Sequence, residues 1–541
     1  MSAVADFQAR PASAEAQPAK VNFDQPVDPR AILIFLAIIA AALFFMAYSI
    51  YSDIAVAGGG PKALLPFLLL GVAMLIALGF EFVNGFHDTA NAVATVIYTR
   101  ALTPQVAVVW SGCWNLIGVL TSTGAVAFGI VSLLPVELIL QVGSSAGYAM
   151  VFALLISAIL WNLGTWWLGL PASSSHTLIG SIVGVGVANA LLRGQDGTSG
   201  VDWGKVTEIG YALLFSPLFG FVLAGGLLLV AKVLIPIPAL YKAPETNAPP
   251  PLWIRGLLIL TCTGVSFFHG SNDGQKGMGL IMLILIGVAP TAYALNRALP
   301  ESYTVSFVEA SDAAAKVIDA KGAGFAILGD PRPVVTEYVH AHKISEGTYP
   351  ALAVLIKDIG DRVKSYGTLA KTPVDTVQNV RNDMYLTSEA IRFIGKDKEN
   401  ELTKDDVAKL NAYKKYLDTS TKFIPTWVKI LVAIALGLGT MIGWKRIVVT
   451  VGEKIGKTHL TYGQGAAAEI VAMATIGAAD GLGLPVSTTH VLSSGIAGTM
   501  LANGSGMQWG TLRNIALGWV LTLPAAILLS GSLYFVFRNL F

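Results

Sequence analysis

Apolar runs of about 20 residues recur along most of the chain and are separated by short polar segments. An α-helix rises 1.5 Å per residue, so about 20 apolar residues cross the roughly 30 Å hydrocarbon core of a bilayer. The pattern therefore predicts an all-α polytopic membrane protein with about 10–12 membrane segments. The candidate spans lie near residues 31–50, 63–83, 104–132, 148–169, 174–192, 207–237, 253–269, 277–295, 427–450, 464–482, 487–502 and 511–537.

Charged residues are concentrated in one segment of this apolar chain. Residues 301–425 hold 17 of the 36 Lys and Arg residues and 18 of the 34 Asp and Glu residues. Apolar positions at helical spacing lie among these charges, a pattern typical of soluble helices with one solvated face. The sequence therefore predicts four parts: a polar N-terminal tail (1–30), a membrane part (31–300), a soluble helical insert (301–425) and a second membrane part (426–541).

Composition narrows the class of protein. Only 13% of the 541 residues are charged, the net charge is +2 and the mean hydropathy is +0.63. These values exclude a disordered protein and a nucleic-acid binder, and they make the lipid bilayer a partner. The two cysteines lie in apolar runs and are interpreted as small core residues.

The chain contains an internal duplication. Residues 170–178 read LPASSSHTL and residues 484–492 read LPVSTTHVL. A second pair, residues 85–91 and 270–276, shares a Gly-x-polar-Asp core. The Gly-x-polar-Asp motif precedes the Pro-Ser-His motif by 83 residues in the first half (Asp88 to Pro171) and by 212 residues in the second half (Asp273 to Pro485). The excess of 129 residues is close to the 125 residues of the insert. Repeats in a polytopic membrane protein predict a transporter whose halves enclose a central site, with the repeats inverted if each half has an odd number of spans.

The Pro-Ser-His runs have the composition of helix beginnings. Pro suits the first helical turn, Ser and Thr suit the N-cap, and the free N–H groups of such an end bind anions. Two facing runs of this kind could surround one tetrahedral oxyanion, with a histidine beside each. The candidate phosphate ligands are Ser173, Ser174, Ser175, Ser487, Thr488 and Thr489, supported by His176 and His490.

Ionisable residues within apolar runs form the second candidate set. A charge at the centre of a membrane helix costs about 2.5–3.5 kcal/mol or more, so such residues are candidates for function. The candidates for ion coupling or a proton relay are His87, Asp88, Asn91, Asn272, Asp273, Lys276 and Glu469. Glu469 ranks above Glu81 because it precedes the second Pro-Ser run, and His269 is interpreted as a core histidine.

These motifs resemble the inorganic phosphate transporter (Pit) family, in particular its bacterial low-affinity metal-phosphate/proton symporters. The resemblance rests on residues 85–95, 169–180, 269–277 and 483–494 and covers essentially the whole membrane body. It implies inverted repeats with discontinuous or re-entrant helices around a central phosphate site, a homodimer and a place in the bacterial inner membrane. It also implies that phosphate crosses as a neutral complex with a divalent metal such as Mg²⁺, with no resident cofactor.

Two departures from the family pattern favour H⁺ as the coupling ion. Relatives that use Na⁺ tend to have Asn before the Asp and Asn three residues after it, whereas this chain has His87 and Lys276. An ammonium offers a cation no lone pair, and an imidazole can carry a proton. Sodium-coupled phosphate transport and a permease for another oxyanion such as sulfate remain alternatives.

Two further alternatives are a membrane-embedded phosphate-ester enzyme and a phosphate sensor signalling through the insert. The enzyme would need Ser175 and His176 as nucleophile and base, and neighbouring helical residues point about 100° apart. We therefore expect a transporter and not an enzyme.

Overall fold

The computed structural model describes residues 23, 28–58, 64–88, 90–134, 139, 144–243, 249–322, 329–396 and 402–540, without the side chains of 64–66, 90, 91, 198 and 199. Within these ranges the chain is helical and contains no β-strand, which confirms the predicted all-α class. The predicted tail 1–30 lies almost entirely outside the described residues.

Twenty α-helices follow one another through these ranges. They are α1 (Pro29–Val56), α2 (Leu64–Asp88), α3 (Ala90–Tyr98), α4 (Pro104–Thr121), α5 (Ala125–Val131), α6 (Ser145–Trp167), α7 (Ser174–Leu192), α8 (Trp203–Leu234), α9 (Leu252–Val288), α10 (Pro290–Tyr293), α11 (Glu301–Lys321), α12 (Arg332–Ala341), α13 (Thr348–Tyr366), α14 (Val377–Lys396), α15 (Lys404–Thr421), α16 (Thr426–Thr440), α17 (Lys445–Glu453), α18 (Tyr462–Gly481), α19 (Thr488–Asn503) and α20 (Trp509–Leu540).

Seven helices in the described ranges are long and apolar enough to cross a membrane, and up to nine if each of two bent pairs is one span. The bent pairs are α4 with α5, at 76°, and α15 with α16, at 71°. The body also contains α18 and α19, which flank the second Pro-Ser run. Neither is among the candidate spans, so the described ranges show seven to nine spanning helices where 10–12 membrane segments were expected.

The predicted spans differ from the structure at three places. The candidate span 427–450 is divided into α16 and α17 by a turn at residues 441–444. The candidate spans 253–269 and 277–295 belong largely to one continuous helix, α9, of 37 residues. The polar sequence between them suggested a break, but the polar side chains at 269–276 are buried against other helices. The candidate span 104–132 is divided, because Ser122 and Gly124 interrupt α4 and α5 and Gly124 has a left-handed φ of 88°.

The two halves of the body pack against each other in matching pairs. Helix α7 packs along α20 and α19 packs along α8, so each half's Pro-Ser helix lies on the other half's last helix. Likewise α4 packs on α9 and α16 packs on α2. Glycine permits these approaches: a Cβ on Gly184 would lie 2.2 Å from the Ile527 carbonyl oxygen, and one on Gly498 would lie 2.0 Å from that of Phe221. This reciprocal packing, in which a helix of each half lies on a helix of the other, agrees with a duplicated body. The inversion of the repeats stays a prediction.

The insert forms a helical unit, α11–α15, attached to the membrane body. Its core includes Phe307, Leu352 and Tyr413, all essentially inaccessible to solvent. Arg392 of α14 pairs with Asp202 before α8, with 3.0 Å between Nη2 and Oδ2. Buried Arg381 donates to the Ile139 carbonyl oxygen at 3.4 Å. The insert is therefore docked on the body by buried and half-buried polar contacts.

Candidate functional site

The two Pro-Ser runs fold into the same turn. Gly169 and Gly483 have left-handed φ angles of 68° and 67°, which an L side chain rarely adopts. The next residue of each run closes the turn: Leu170 N donates to Thr165 O, and Leu484 N donates to Ala479 O, both at 2.9 Å. Each run then leaves this turn in an extended conformation and starts a new helix inside the body.

Serine side chains cap both new helices. Ser173 Oγ accepts from His176 N and Ser487 Oγ accepts from His490 N, each at 3.2 Å. A capping serine satisfies one of the free N–H groups at a helix start. Ser173 and Ser487 thus hold the local backbone, and the remaining N–H groups of α7 and α19 stay available at these buried ends.

The two runs meet inside the protein. Ser175 Oγ donates to the Val486 carbonyl oxygen at 2.8 Å, which links the first run directly to the second. The rings of His176 and His490 lie 4.6 Å apart between centroids. Asn272 supports the second run, because its Nδ2 donates to Leu484 O at 3.0 Å. The predicted approach of residues 173–175 to residues 487–489 is present in the structure.

Asp88 joins hydroxyl groups from both runs. Its Oδ2 accepts from Ser174 Oγ at 2.8 Å, and its Oδ1 accepts from Thr489 Oγ1 at 2.5 Å. His87 Nδ1 lies 3.3 Å from the same Oδ1, and its Nε2 lies 3.1 Å from Thr165 Oγ1. Asp88 is 2% exposed, so these groups replace the water that a carboxylate would otherwise bind.

Asp273 and Lys276 form a buried ion pair beside Asp88. Lys276 Nζ lies 2.7 Å from Asp273 Oδ2, and both side chains are essentially inaccessible. Ser174 Oγ connects the two acids, since it lies 2.8 Å from Asp88 Oδ2 and 3.4 Å from Asp273 Oδ2. Lys276 Nζ also lies 3.3 Å from Ser174 Oγ. One ammonium group thus partly neutralises two carboxylates between the halves.

His269 is a member of this cluster that the sequence interpretation missed. Its Nε2 lies 3.4 Å from Asp273 Oδ2, and its Nδ1 lies 2.8 Å from Asn115 Oδ1. One donor atom each from Asp88, His269 and Asp273 all lie within 4.8 Å of one another. Two carboxylates and an imidazole suit a divalent metal ion. The spacing of four between His269 and Asp273 on a helix was the available signal.

The buried glutamates lie differently from their predicted ranking. Glu469 accepts from Thr95 and Thr261, and neither of these donors belongs to the Asp88 cluster. Glu81, ranked lower, accepts from the backbone N–H of Gly277 at 2.6 Å, next to Lys276. Among the described residues, Glu81 is therefore the glutamate adjoining the cluster.

Asn91 and Thr488 are two further predicted site residues. The side chain of Asn91 lies outside the described residues. Thr488 Oγ1 is buried and has no hydrogen-bond partner among the described residues, although it lies at the first position of α19. A buried hydroxyl without a partner is available to a ligand.

Comparison with known proteins identifies the family. The model of the Phosphate transporter family matches residues 84–530, most of the chain and all four motifs. The chain belongs to this family. The relatives in this family are named as transporters, which confirms the prediction that the protein is a transporter and not a membrane-embedded enzyme.

Individual relatives agree with this membership. The chain is 44% identical to the low-affinity inorganic phosphate transporter PitA of Escherichia coli K12 over 488 residues, 87% of this chain and 96% of that protein. It is 28% identical to the probable low-affinity inorganic phosphate transporter of Bacillus subtilis strain 168, over 88% and 99% of the two chains. A solved structure, the sodium-dependent phosphate transporter, aligns with a TM-score of 0.48 at 21% identity, over 88% of this chain and 100% of that one.

Proposed function

We propose that this protein is a secondary active transporter that imports inorganic phosphate by proton symport and alternating access. The observation that carries the proposal is the meeting of two helix beginnings, one from each repeat, at Asp88. Ser174 of the first run and Thr489 of the second both donate to this carboxylate. Central sites between repeats, formed by discontinuous helices, are typical of secondary transporters.

The anion would be held by the helix beginnings and Lys276. The N-terminal N–H groups of α7 and α19 carry partial positive charge and suit phosphate oxygens. The Thr488 hydroxyl can donate to a P–O⁻ oxygen, and the Ser174 and Thr489 hydroxyls, which donate to Asp88, can accept from P–OH. Lys276 adds a full positive charge without the fixed bidentate grip of an arginine, which suits a carrier that must release its substrate.

Protons are the coupling ion that these residues favour. Lys276 Nζ lies 2.7 Å from Asp273 Oδ2, so a Na⁺ ion at this carboxylate would meet a positive charge, whereas a metal ion that enters with the phosphate dianion brings its own counter-charge. His87 lies between Asp88 and Thr165 and can carry a proton to or from the carboxylate. The proposed cycle therefore moves protons through His87 and Asp88.

A divalent metal ion such as Mg²⁺ is proposed as cargo together with phosphate. Neutralising the phosphate dianion lowers the cost of moving it through an apolar body. Asp88, His269 and Asp273 are the residues whose donor atoms converge closely enough to contact such an ion. The protein would thus hold phosphate at the beginnings of α7 and α19, beside Ser174 and Thr489. It would hold the metal ion between Asp88, His269 and Asp273.

Uptake in proteoliposomes tests the coupling ion. Vesicles with an acidic exterior and no Na⁺ are expected to accumulate radiolabelled phosphate above equilibrium, and a protonophore should abolish the accumulation. A Na⁺ gradient at equal pH on both sides is the matched control and should drive no accumulation. Accumulation driven only by Na⁺ would contradict the proposal, and competition by sulfate at equal concentration would favour a general oxyanion permease.

Ser174→Ala is expected to reduce phosphate uptake about tenfold or more, because a hydroxyl contacting Asp88, Asp273 and Lys276 is lost and charged hydrogen bonds contribute about 1.5–3 kcal/mol. Ser181→Ala is the matched control. Ser181 is also buried on α7, but its hydroxyl bonds Thr177 O and Ser157, away from the cluster. Initial uptake rates normalised to purified protein check this prediction. Equal rates in both variants would assign Ser174 a purely structural role.

The location and assembly follow from the same proposal. The relatives named above are bacterial, and α1 is almost entirely exposed along its apolar length, as suits a helix facing lipid. We propose the bacterial inner membrane as its location, and the homodimer stays a prediction from the family resemblance. Mass measurement of the purified protein in nanodiscs tests the oligomeric state.

A further inference from the structure

A cleft of about 660 Å³ lies between the insert and the membrane body. The insert contributes residues of α14 and α15, and the body contributes α5, the turn before it and the start of α8. This cleft, which we call the vestibule, is separate from the cluster around Asp88: none of the residues of that cluster lines it.

The vestibule is strongly basic although the insert is not. The insert as a whole has 17 basic and 18 acidic residues. The charged residues that line the vestibule are six cations and two anions: Lys205, Arg392, Lys396, Lys414, Lys415, Lys422, Glu389 and Asp418. The fold therefore places more cations than anions around this cleft.

The two acids of the vestibule are already neutralised. Asp418 lies 2.5 Å from Lys414 Nζ and 2.8 Å from Lys422 Nζ. Glu389 lies 2.6 Å from Arg392 Nε. Lys396 and Lys415 are exposed and form no ion pair among the described residues. Lys205 also pairs with Glu208, and Arg392 also pairs with Asp202, so the positive charge that remains to attract an anion at the vestibule surface comes from Lys396 and Lys415.

The floor of the vestibule is also a wall of the transport site. Helix α5 lines the cleft through Phe128 and Gly129, and a Cβ on Gly129 would lie 3.1 Å from the Gly483 carbonyl oxygen. Gly483 starts the turn that leads to Ser487. At its beginning α5 is tied to the neighbour of Lys276, because Val126 N donates to Gln275 Oε1 at 2.9 Å. One short helix and one turn therefore separate vestibule and site.

We propose that the vestibule is a second, weaker binding site for the phosphate oxyanion, which concentrates the substrate next to α5. This inference rests on the proposed function of the Asp88 site. Clefts lined by one sign of charge raise local substrate concentration and association rates by roughly 10–10³-fold, and the effect falls with ionic strength. Lysines suit the task because mobile, hydrated ammonium groups attract phosphate without fixing it.

Lysine acylation of the full-length protein in detergent tests anion binding directly. Phosphate is expected to slow the acetylation of Lys396 and Lys415 by about threefold or more relative to chloride at equal ionic strength. Lys357 and Lys364 of α13 are the internal control, since they are exposed, form no ion pair within the part of the chain that the structure describes and lie outside the vestibule. Mass spectrometry of each lysine provides the readout.

Transport kinetics test whether that binding serves uptake. We expect Lys396→Gln/Lys415→Gln to raise the KM for phosphate about three- to tenfold at low salt with kcat unchanged, and to flatten the dependence of uptake on ionic strength. Lys357→Gln/Lys364→Gln should behave as the parent. A parental KM and salt dependence in the vestibule variant would overturn the inference.

The two experiments separate failure of the vestibule from failure of the proposed function. Protection of Lys396 and Lys415 should persist in Ser174→Ala, whose transport site is altered. Protection with no phosphate uptake by the parent would overturn the proposed function alone. Uptake by the parent with equal acetylation of all four lysines in phosphate and chloride would overturn the vestibule alone.

Discussion

Asp88→Asn is expected to lower phosphate uptake by about 100-fold or more. Asp88 accepts from Ser174 at 2.8 Å and from Thr489 at 2.5 Å, so one carboxylate aligns the beginnings of α7 and α19. An amide keeps the shape but loses the charge and one of the two acceptors. Breaking a buried charged contact costs about 3–5 kcal/mol, which corresponds to roughly 10²–10³-fold. Initial uptake rates in proteoliposomes provide the measurement.

Asp480→Asn is the matched control for Asp88→Asn. Asp480 is a carboxylate of the membrane body that accepts from Ser271 at 2.7 Å and from Gln275 at 2.9 Å, outside the Asp88 cluster. We expect its variant to keep most of the uptake. Exchange of internal for external phosphate should be measured in both, since an uncoupled carrier would still exchange. Parental net uptake by Asp88→Asn would remove this residue from the mechanism.

The helix beginnings were predictable because capping is a local property. Ser173 and Ser487 specify the two helix starts within a few residues. The expectation that Pro lies in the first helical turn was wrong, because Pro171 and Pro485 lie two residues before the N-caps in non-helical backbone. The structure places the N-caps at both predicted serines. The sequence grouped all three hydroxyls of each run as phosphate ligands, but consecutive residues point in different directions and have different partners. Ser174 therefore reaches Asp88 while Ser175 reaches a backbone carbonyl.

The partners of the buried glutamates could not be read from sequence distance. Glu469 precedes the second Pro-Ser run, but its position on α18 directs its carboxylate to Thr95 and Thr261. Glu81 reaches Gly277 because α2 and α9 pack together and glycine leaves room for the carboxylate. Such contacts depend on the rotation of two helices that are far apart in sequence, and no periodicity in one helix determines that rotation.

In the insert too, the sequence predicts the helices but not the contacts between residues that are far apart in the chain. Its charge and helical spacing predicted soluble helices, and five helices occupy 301–421. Its attachment through Arg392 and Asp202 joins residues 190 positions apart, and the basic vestibule arises only from that attachment. The insert is nearly neutral overall, yet the vestibule between insert and body is lined by six cations and two acids. The distribution of charge, which requires the fold, is what suggests an anion route.

Lys276→Gln is expected to have the second large effect, a loss of phosphate uptake of about 100-fold. The substitution leaves the buried Asp273 without its cation at 2.7 Å and removes the positive charge that lies 3.3 Å from Ser174 Oγ. Lys429→Gln is the control, because Lys429 also lies in the body but, among the described residues, donates only to the Ser122 carbonyl oxygen. Uptake driven by a pH gradient should fail in Lys276→Gln and continue in Lys429→Gln.

The double variant Asp273→Asn/Lys276→Gln separates a structural from a transport role of this pair. Removing both charges takes away the unpaired carboxylate, so thermal stability in detergent should return toward that of the parent, whereas Lys276→Gln alone should be destabilised. If the pair acts in transport, through Lys276 at the anion or Asp273 at the metal ion, uptake stays low in the double variant despite its restored stability. If the two residues only neutralise each other, uptake returns together with stability, and the roles proposed for Lys276 in holding the anion and for Asp273 in holding the metal ion are wrong.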